Sequence, residues 1–262
     1  YTVTVTVPGA CTATASITII VIPCAPEPEG CNCPGVAGVT NYEINGGTLS
    51  MLNLPSNIVN ACIAIKGDLI VNRPWNVSNS TIIMSPGTEI VCSMTSNTQR
   101  FTLSKNYIIG CGQLWKGIRA VRGEMYVVNN YLIQDAEFAV NIDRGNRVSI
   151  AGNTFDKNYV SIFAAPLLSG QAPRQPLSFP VTNNKFLCTA PLAPHYRTGT
   201  LQDTRSLAGV FIQNMPRFNV GGSGTLFNGS YAGIIARFSN LSVTGATFGD
   251  LQETALEWRN AS

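Results

Sequence analysis

Charge is scarce in this chain. Asp, Glu, Lys and Arg make up 12 % of 262 residues, and the net charge is +3. No run of Lys or Arg occurs, so nothing argues for a nucleic-acid partner or an anionic membrane surface. Long apolar runs are missing too: Ile17–Ile22 is far too short to span a bilayer. No amphipathic helical stretch of 10–15 residues separates the apolar segments, which excludes Rossmann-type and barrel α/β folds, whose parallel strands need helical crossovers. Histidine occurs once, at His195, beside Tyr196 and Arg197 in a proline-rich stretch where an exposed, idle side chain is expected.

What the chain does have is a period of about 22 residues. An aliphatic residue behind a small one recurs at Gly117-Ile118, Ala139-Val140, Ser161-Ile162, Gly209-Val210, Gly233-Ile234 and Ala255-Leu256, at intervals of 22, 22, 48, 24 and 22. A second apolar column lies seven or eight residues earlier (Ile133, Phe155, Phe227, Phe248), and a third seven before that (Tyr126, Val148, Val220, Leu241). Seven residues hold a strand of about four or five plus a corner. Asn and Gly fill the corners, as in Asn129-Asn130, Gly152-Asn153 and Asn183-Asn184; both tolerate left-handed backbone, and Asn can also bond its own main chain. The prediction is all-β: a right-handed parallel β-helix with three strands per coil. Leucine-rich repeats share the period, but their Leu-x-x-Leu-x-Leu frame is absent.

Stacked coils make columns readable. Phe138, Val160, Ala208 and Ala232, two before the first mark, and Ala120, Ile142, Ala164, Ile212, Ala236 and Trp258, two after it, are expected to face inward. The small residues between them predict a crowded corner or the floor of a shallow groove. Phe163, Phe211 and Ile235 fall on outward positions, so a loop or partner is expected over them. The 48-residue interval contains six prolines and one more coil fragment, Val181 to Phe186, which predicts two inserted loops, 166–179 and 188–206.

The ends read differently. Residues 1–22 alternate like the last hairpin of a truncated Ig-like domain, and 23–38 read as a Pro/Gly/Cys linker. The helix, 39–262, stops inside a coil, so the chain reads as a piece of a longer protein. Eight cysteines suit disulfides in an exported protein. Cys11 with Cys24, or Cys24 with Cys31 or Cys33, are local options, while Cys62, Cys92, Cys111 and Cys188 fit small buried hydrophobes. Zinc is disfavoured, because Cys31-Asn-Cys33 lacks the two-residue spacer and a matching pair. Five Asn-x-Ser/Thr sequons, at Asn76, Asn79, Asn228, Asn240 and Asn260, are weak signals in so amide-rich a chain.

Candidate chemistry is thin. Asp135 and Asp156 lie 21 residues apart, close to adjacent-coil spacing, with Lys157 beside them. Paired carboxylates can hydrolyse a glycoside, and a carboxylate-bound cation with a basic residue can support β-elimination. The competing reading is solvated corner residues. A better hint is the column three before the first mark: Trp115, Glu137, Tyr159, Leu207, Tyr231, Glu253. Facing outward, Trp115, Tyr159 and Tyr231 offer stacking platforms for sugar rings, with Glu137 as a polar contact; facing inserted loops, they merely pack.

The phrases Ile82-Ile83-Met84-Ser85-Pro86-Gly87-Thr88-Glu89-Ile90, Gly110-Cys111-Gly112-Gln113-Leu114-Trp115-Lys116-Gly117-Ile118 and Ile133-Gln134-Asp135-Ala136 resemble right-handed parallel β-helix domains of large secreted surface proteins of Bacteroidota-type bacteria. The opening strands look like the end of the Ig- or PKD-like repeats that precede such domains. The resemblance implies export and a cell-surface or secreted location. Pectate lyases and polygalacturonases share the fold class, but Gly-His-Gly and a tight Asp-Asp pair are missing. The expectation is a non-enzymatic scaffold or adhesion module, without cofactor or metal, that contacts polysaccharide or surface glycan and adjoins neighbouring domains. The alternatives are a polysaccharide lyase or glycoside hydrolase, and a purely structural stalk.

Overall fold

Short β-branched and aromatic segments between Asn- and Gly-bearing corners become strands of two to eight residues. The computed structural model describes residues 31–143, 147–164, 181–197, 204–215 and 217–259. Each strand pairs in parallel with its equivalent in the next coil. Three sheets result, of nine, nine and eight strands, in a β-solenoid of about eight turns with almost no helix. The first sheet runs from Thr40–Ile44 to Thr247–Phe248, the second from Gly47–Thr48 to Thr254–Arg259, and the third from Asn57–Val59 to Leu241–Thr244. The expected three-stranded coil is therefore present. The hairpin expected over 1–22, the Cys11–Cys24 option, the loop 166–179 and Asn260 lie outside the described residues.

The corner leading from the third sheet to the first is built from paired residues with opposite tasks. Asn60, Asn79, Lys105, Asn129, Gly152 and Asn183 take positive φ, between 48° and 69°. The residue after each turns inward. Asn106, Asn130, Asn153 and Asn184 stack as a ladder with at most 1 % exposure. Each upper rung donates its backbone N–H and its Nδ2 to the Oδ1 of the rung below, at 2.9–3.1 Å. The same Nδ2 atoms also donate to the carbonyls of Val77, Leu103, Val127 and Ile150. Left-handed tolerance thus explains only the first residue of each pair, and the second bonds the main chain of neighbouring coils rather than its own. The second satisfies buried main chain that no strand partner can reach.

Inside, the first mark lies in the core, with Ile118, Val140, Ile162, Val210 and Ile234 fully buried. The second mark gains Phe186 and becomes a ring stack: Phe155–Phe186, Phe186–Phe227 and Phe227–Phe248 have centroids 5.4, 4.6 and 4.9 Å apart. This stack explains the small column. A Cβ on Gly209 would lie 2.6 Å from the Phe227 ring, and one on Gly233 would lie 2.7 Å from the Phe248 ring. Ala139, Ser161, Gly209 and Gly233 are therefore buried in the interior and form neither a corner nor a groove floor, whereas Ala255 is exposed.

Two columns shift from their expected places. Phe138, Val160, Ala208 and Ala232 do not join the main core. They form a separate cluster with Phe163, Phe211 and Ile235, the residues expected to face outward. There Phe138, Phe163 and Phe211 stack across coils at 4.4 and 5.4 Å, and the Arg237 guanidinium lies over Phe211. In the third sheet Val148 pairs with Met125, which is fully buried, while Tyr126 pairs with Ser149 and is only half-buried. Trp258, expected inward, is 60 % exposed on the last described strand.

Candidate functional site

The second sheet carries the ridge on which the sugar contacts were expected. Its register is interrupted at Gly117/Ile118, so Trp115 pairs with Ala136 and Gly117 pairs with Phe138. Trp115 is consequently displaced from the column. It is fully buried, and its Nε1 donates to the Gln134 carbonyl at 2.8 Å. Counting back from the first mark places it wrongly because the bulge consumes one residue. Trp115 belongs to the core and presents no platform to solvent.

Tyr159, Leu207 and Tyr231 do share a column. Main-chain bonds link the Leu207 N–H to the Tyr159 carbonyl and the Ala232 N–H to the Leu207 carbonyl. The two tyrosines are therefore two rungs apart, about 9.6 Å along the axis. With Thr204, Arg205, Leu207 and Gln252 they border a shallow depression of about 260 Å³. Tyr159 is half-buried and set edge-on to Phe138, whereas Tyr231 is 36 % exposed. The neighbouring Glu253 carboxylate raises the Tyr231 phenol's pKa above its ordinary value. Turned with its oxygen toward Arg205, the Gln252 amide accepts from the guanidinium at 3.1 and 3.3 Å. Among the described residues Arg205 has no carboxylate partner. The depression thus offers aromatic faces, an amide, a hydroxyl and the Arg205 cation beside the neutral Gln252. Arg205 and Gln252 escaped sequence reading, since the first sits at the return of an insertion and the second carries no motif.

Glu137 has a different task. Its carboxylate receives the Tyr196 hydroxyl at 2.7 Å and lies 3.4 Å from His195 Nε2 and 4.0 Å from the Arg197 guanidinium. The Arg197 N–H donates to His195 Nδ1, so the ring proton sits on Nε2, toward Glu137. Pro194 accepts from the Leu114 N–H, and the Tyr196 ring lies against Gly87. Residues 194–197 therefore form a strap across three coils, pinned by one carboxylate. Burial, with help from Glu137, pushes the Tyr196 phenol up to about 12. His195, expected to be exposed and idle, is mostly buried in this strap.

Asp135, Asp156 and Lys157 do come together. Gln134 and Asp156 are register partners in the first sheet, and Lys157 Nζ lies 3.4 Å from Asp135 Oδ1. Asp135 is 6 % exposed, with φ +61°. Burial raises its pKa, and the Lys157 cation opposes that rise. Asp156 is committed to Thr189, whose N–H and hydroxyl donate to it at 2.9 and 2.6 Å. The trio does not line the depression. Its geometry is that of a corner brace.

The cysteines form a clip where the linker was expected. Cys31 bonds Cys111 and Cys33 bonds Cys62, with Cα–Cα distances of 5.4 and 5.7 Å. These bonds exclude the pairing of Cys24 with Cys31 or Cys33, and they remove Cys62 and Cys111 from the set of plain buried thiols. Cys92 remains one, with burial raising its pKa to about 12. The distant pairing escaped sequence reading because the chain crosses three coils before closing it. Among the described residues no group of three or more His, Cys, Asp or Glu side chains could hold a metal. Residues 31–39 lie over an apolar strip of Cys62, Ile83 and Ile109 on the outer face of the first sheet. In comparisons with known proteins, no family model, curated protein or solved structure matches the chain.

Proposed function

We propose that the chain is a non-enzymatic extracellular or cell-surface scaffold and adhesion module that holds glycans along the outer face of its second sheet. The observation that carries this reading is the depression between Tyr159 and Tyr231. A sugar's apolar face stacks on a tyrosine ring, its hydroxyls pair with amides and hydroxyls, and a uronate carboxylate suits the fork of an arginine. Arg205, held by Gln252 alone among the described residues, favours acidic sugars. Two disulfides suit an oxidising compartment and so support export, as does the resemblance to secreted surface proteins. The site needs no chemistry to act, since stacking and hydrogen bonding along a regular face suffice.

A lyase or hydrolase remains the alternative because Asp135 and Lys157 are paired. Asp135, however, is sealed at a corner, and Asp156 is occupied by Thr189. The test is a panel of neutral and acidic polysaccharides assayed for binding and for release of unsaturated or reducing ends. Saturable binding that Tyr231→Ala weakens at least tenfold, with Arg205→Gln reducing the preference for acidic chains, supports the module. Product release abolished by Asp135→Asn replaces it with an enzyme. Absence of binding across the panel leaves a structural stalk.

A further inference from the structure

The two disulfides are nested. Cys31–Cys111 closes a loop of sequence separation 80, and Cys33–Cys62, with separation 29, lies wholly inside it. Cys62 belongs to Ala61–Ile65, and Cys111 follows directly on Tyr107–Gly110. In the first sheet these strands flank Thr81–Met84, so the clip spans three consecutive coils. The covalent path thus meets the solenoid at its fourth first-sheet strand, although the main chain begins winding at the first, Thr40–Ile44.

That difference decides where a pull on the N-terminal side is felt. Without the bonds, tension runs along 32–39 into Thr40–Ile44. This strand has one paired neighbour among the described residues, through five residue pairs. An edge strand peels pair by pair, and successive coils follow it. With Cys31–Cys111 closed, tension crosses the bond and leaves residues 32–110 unstressed. The next strand it reaches, Trp115–Arg122, is laddered on both sides, to Glu89–Ser93 and to Ala136–Ile142. Two ladders must fail before it moves.

We infer that the paired cysteines have a mechanical function: they form a two-stage stop that carries tension from the N-terminal side past the first coils. The inner bond is silent while the outer one holds. When the outer bond is cut, tension crosses at Cys33 to Cys62 and still bypasses Thr40–Ile44. Load orders the two stages: Cys31, Cys33 and Cys111 are all half-buried, so a reductant reaches both bonds, but only the outer one is under tension until it opens. This holds whether or not a glycan is bound.

At about 3.3–3.6 Å per extended residue, the outer bond hides roughly 260–290 Å of chain and the inner bond roughly 95–105 Å. The test is force spectroscopy on the full chain, with handles at Tyr1 and at the exposed Lys185, whose strand is laddered on both sides, so that the edge strand Thr254–Arg259 carries no load. The oxidised protein should extend about 260–290 Å less than the reduced protein and rupture first at higher force. Cys31→Ser/Cys111→Ser should fall short of the reduced length by only about 95–105 Å. Adding reductant while wild type is held under tension should lengthen it first by roughly 170–185 Å, as the outer bond opens onto the inner one, and then by roughly 95–105 Å, without relying on a variant to fold. A final length indifferent to reductant, or a first rupture force unchanged by the bonds, overturns the proposal.

Discussion

Replacing Asn130 by Ala removes one rung of the corner ladder, and its cost follows from the bonds that end on that side chain. Oδ1 accepts from Asn106 N and Nδ2, while Nδ2 donates to the Leu103 carbonyl and to Asn153 Oδ1. At roughly 0.5–1.5 kcal/mol net apiece, the four bonds together contribute roughly 2–6 kcal/mol. The surroundings repair part of the loss. Asn106 Nδ2 keeps Val77, and Asn153 Oδ1 keeps the backbone N–H of residue 130. The Asn106 N–H and the Leu103 carbonyl, both buried, lose that partner, which places the expected loss near about 4 kcal/mol. The neighbouring residue is the control. Asn129 has φ +54°, a conformation that glycine adopts freely, so Asn129→Gly should change stability by no more than about 0.5 kcal/mol. A stack of repeats opens locally, so a single global midpoint is a poor measure of either change. Native-state hydrogen exchange at the Asn106 amide is the proper assay, and about 4 kcal/mol means roughly a thousandfold faster exchange there. A change below about 1 kcal/mol for Asn130→Ala, or equal losses at the two positions, would refute the division of labour between paired asparagines.

Two further tests concern titrating groups. The folded pKa of Tyr196 lies above its ordinary value of 10.0, so the strap's contribution is complete below pH 10 and is lost as the phenol ionises near pH 12. Ultraviolet difference titration should show a phenolate forming near pH 12 that Glu137→Gln moves toward pH 10; an unmoved midpoint would remove Glu137 from the account. Asp135 also has a raised folded pKa, chiefly from burial, so its favourable contribution exists only when protonated and is lost as pH rises through that value. Asp135→Asn keeps a residue suited to left-handed backbone and should melt higher than wild type at neutral pH, with the gain disappearing in acid. A lower melting temperature at pH 7 would instead make the Lys157–Asp135 pair a net stabiliser.

Much of the fold was legible because a solenoid repeats its chemistry at fixed intervals. The first mark, except Leu256 on the last described strand, and the phenylalanine column kept their places, since each is set by one inward position per coil. Trp115 was misplaced because the bulge at Gly117/Ile118 changes which residue occupies a column without changing the period; Lys116, a charge two before the first mark in an otherwise apolar column, is the one sign of it in the sequence. The third column slipped for a related reason. Met125 and Tyr126 are both large and apolar, and nothing in the sequence says which side of the strand each takes. Within the site, Tyr159 and Tyr231 were readable as a column. Arg205 was not, because an insertion delivers it from outside the repeat. The disulfides were least legible, as proximity across three coils leaves no trace in spacing.

The amide ladder has a consequence for how such a molecule can be enlarged. The connections from the third sheet to the first stay short throughout, as in Val128 to Leu132, Ala151 to Thr154 and Thr182 to Lys185. The long excursions leave the second sheet after Ala164 and the first after Leu187. Each ladder rung must meet the next at hydrogen-bond distance, so this edge admits no more than a short addition such as Tyr131 after Asn130, and it keeps the coils in phase when the other corners are rebuilt. A grafted loop of foreign sequence should be accepted after Leu187 or Ala164 and rejected beside Asn130. The same edge that closes the core thereby separates the part of the sequence that must stay constant from the part free to acquire new contacts.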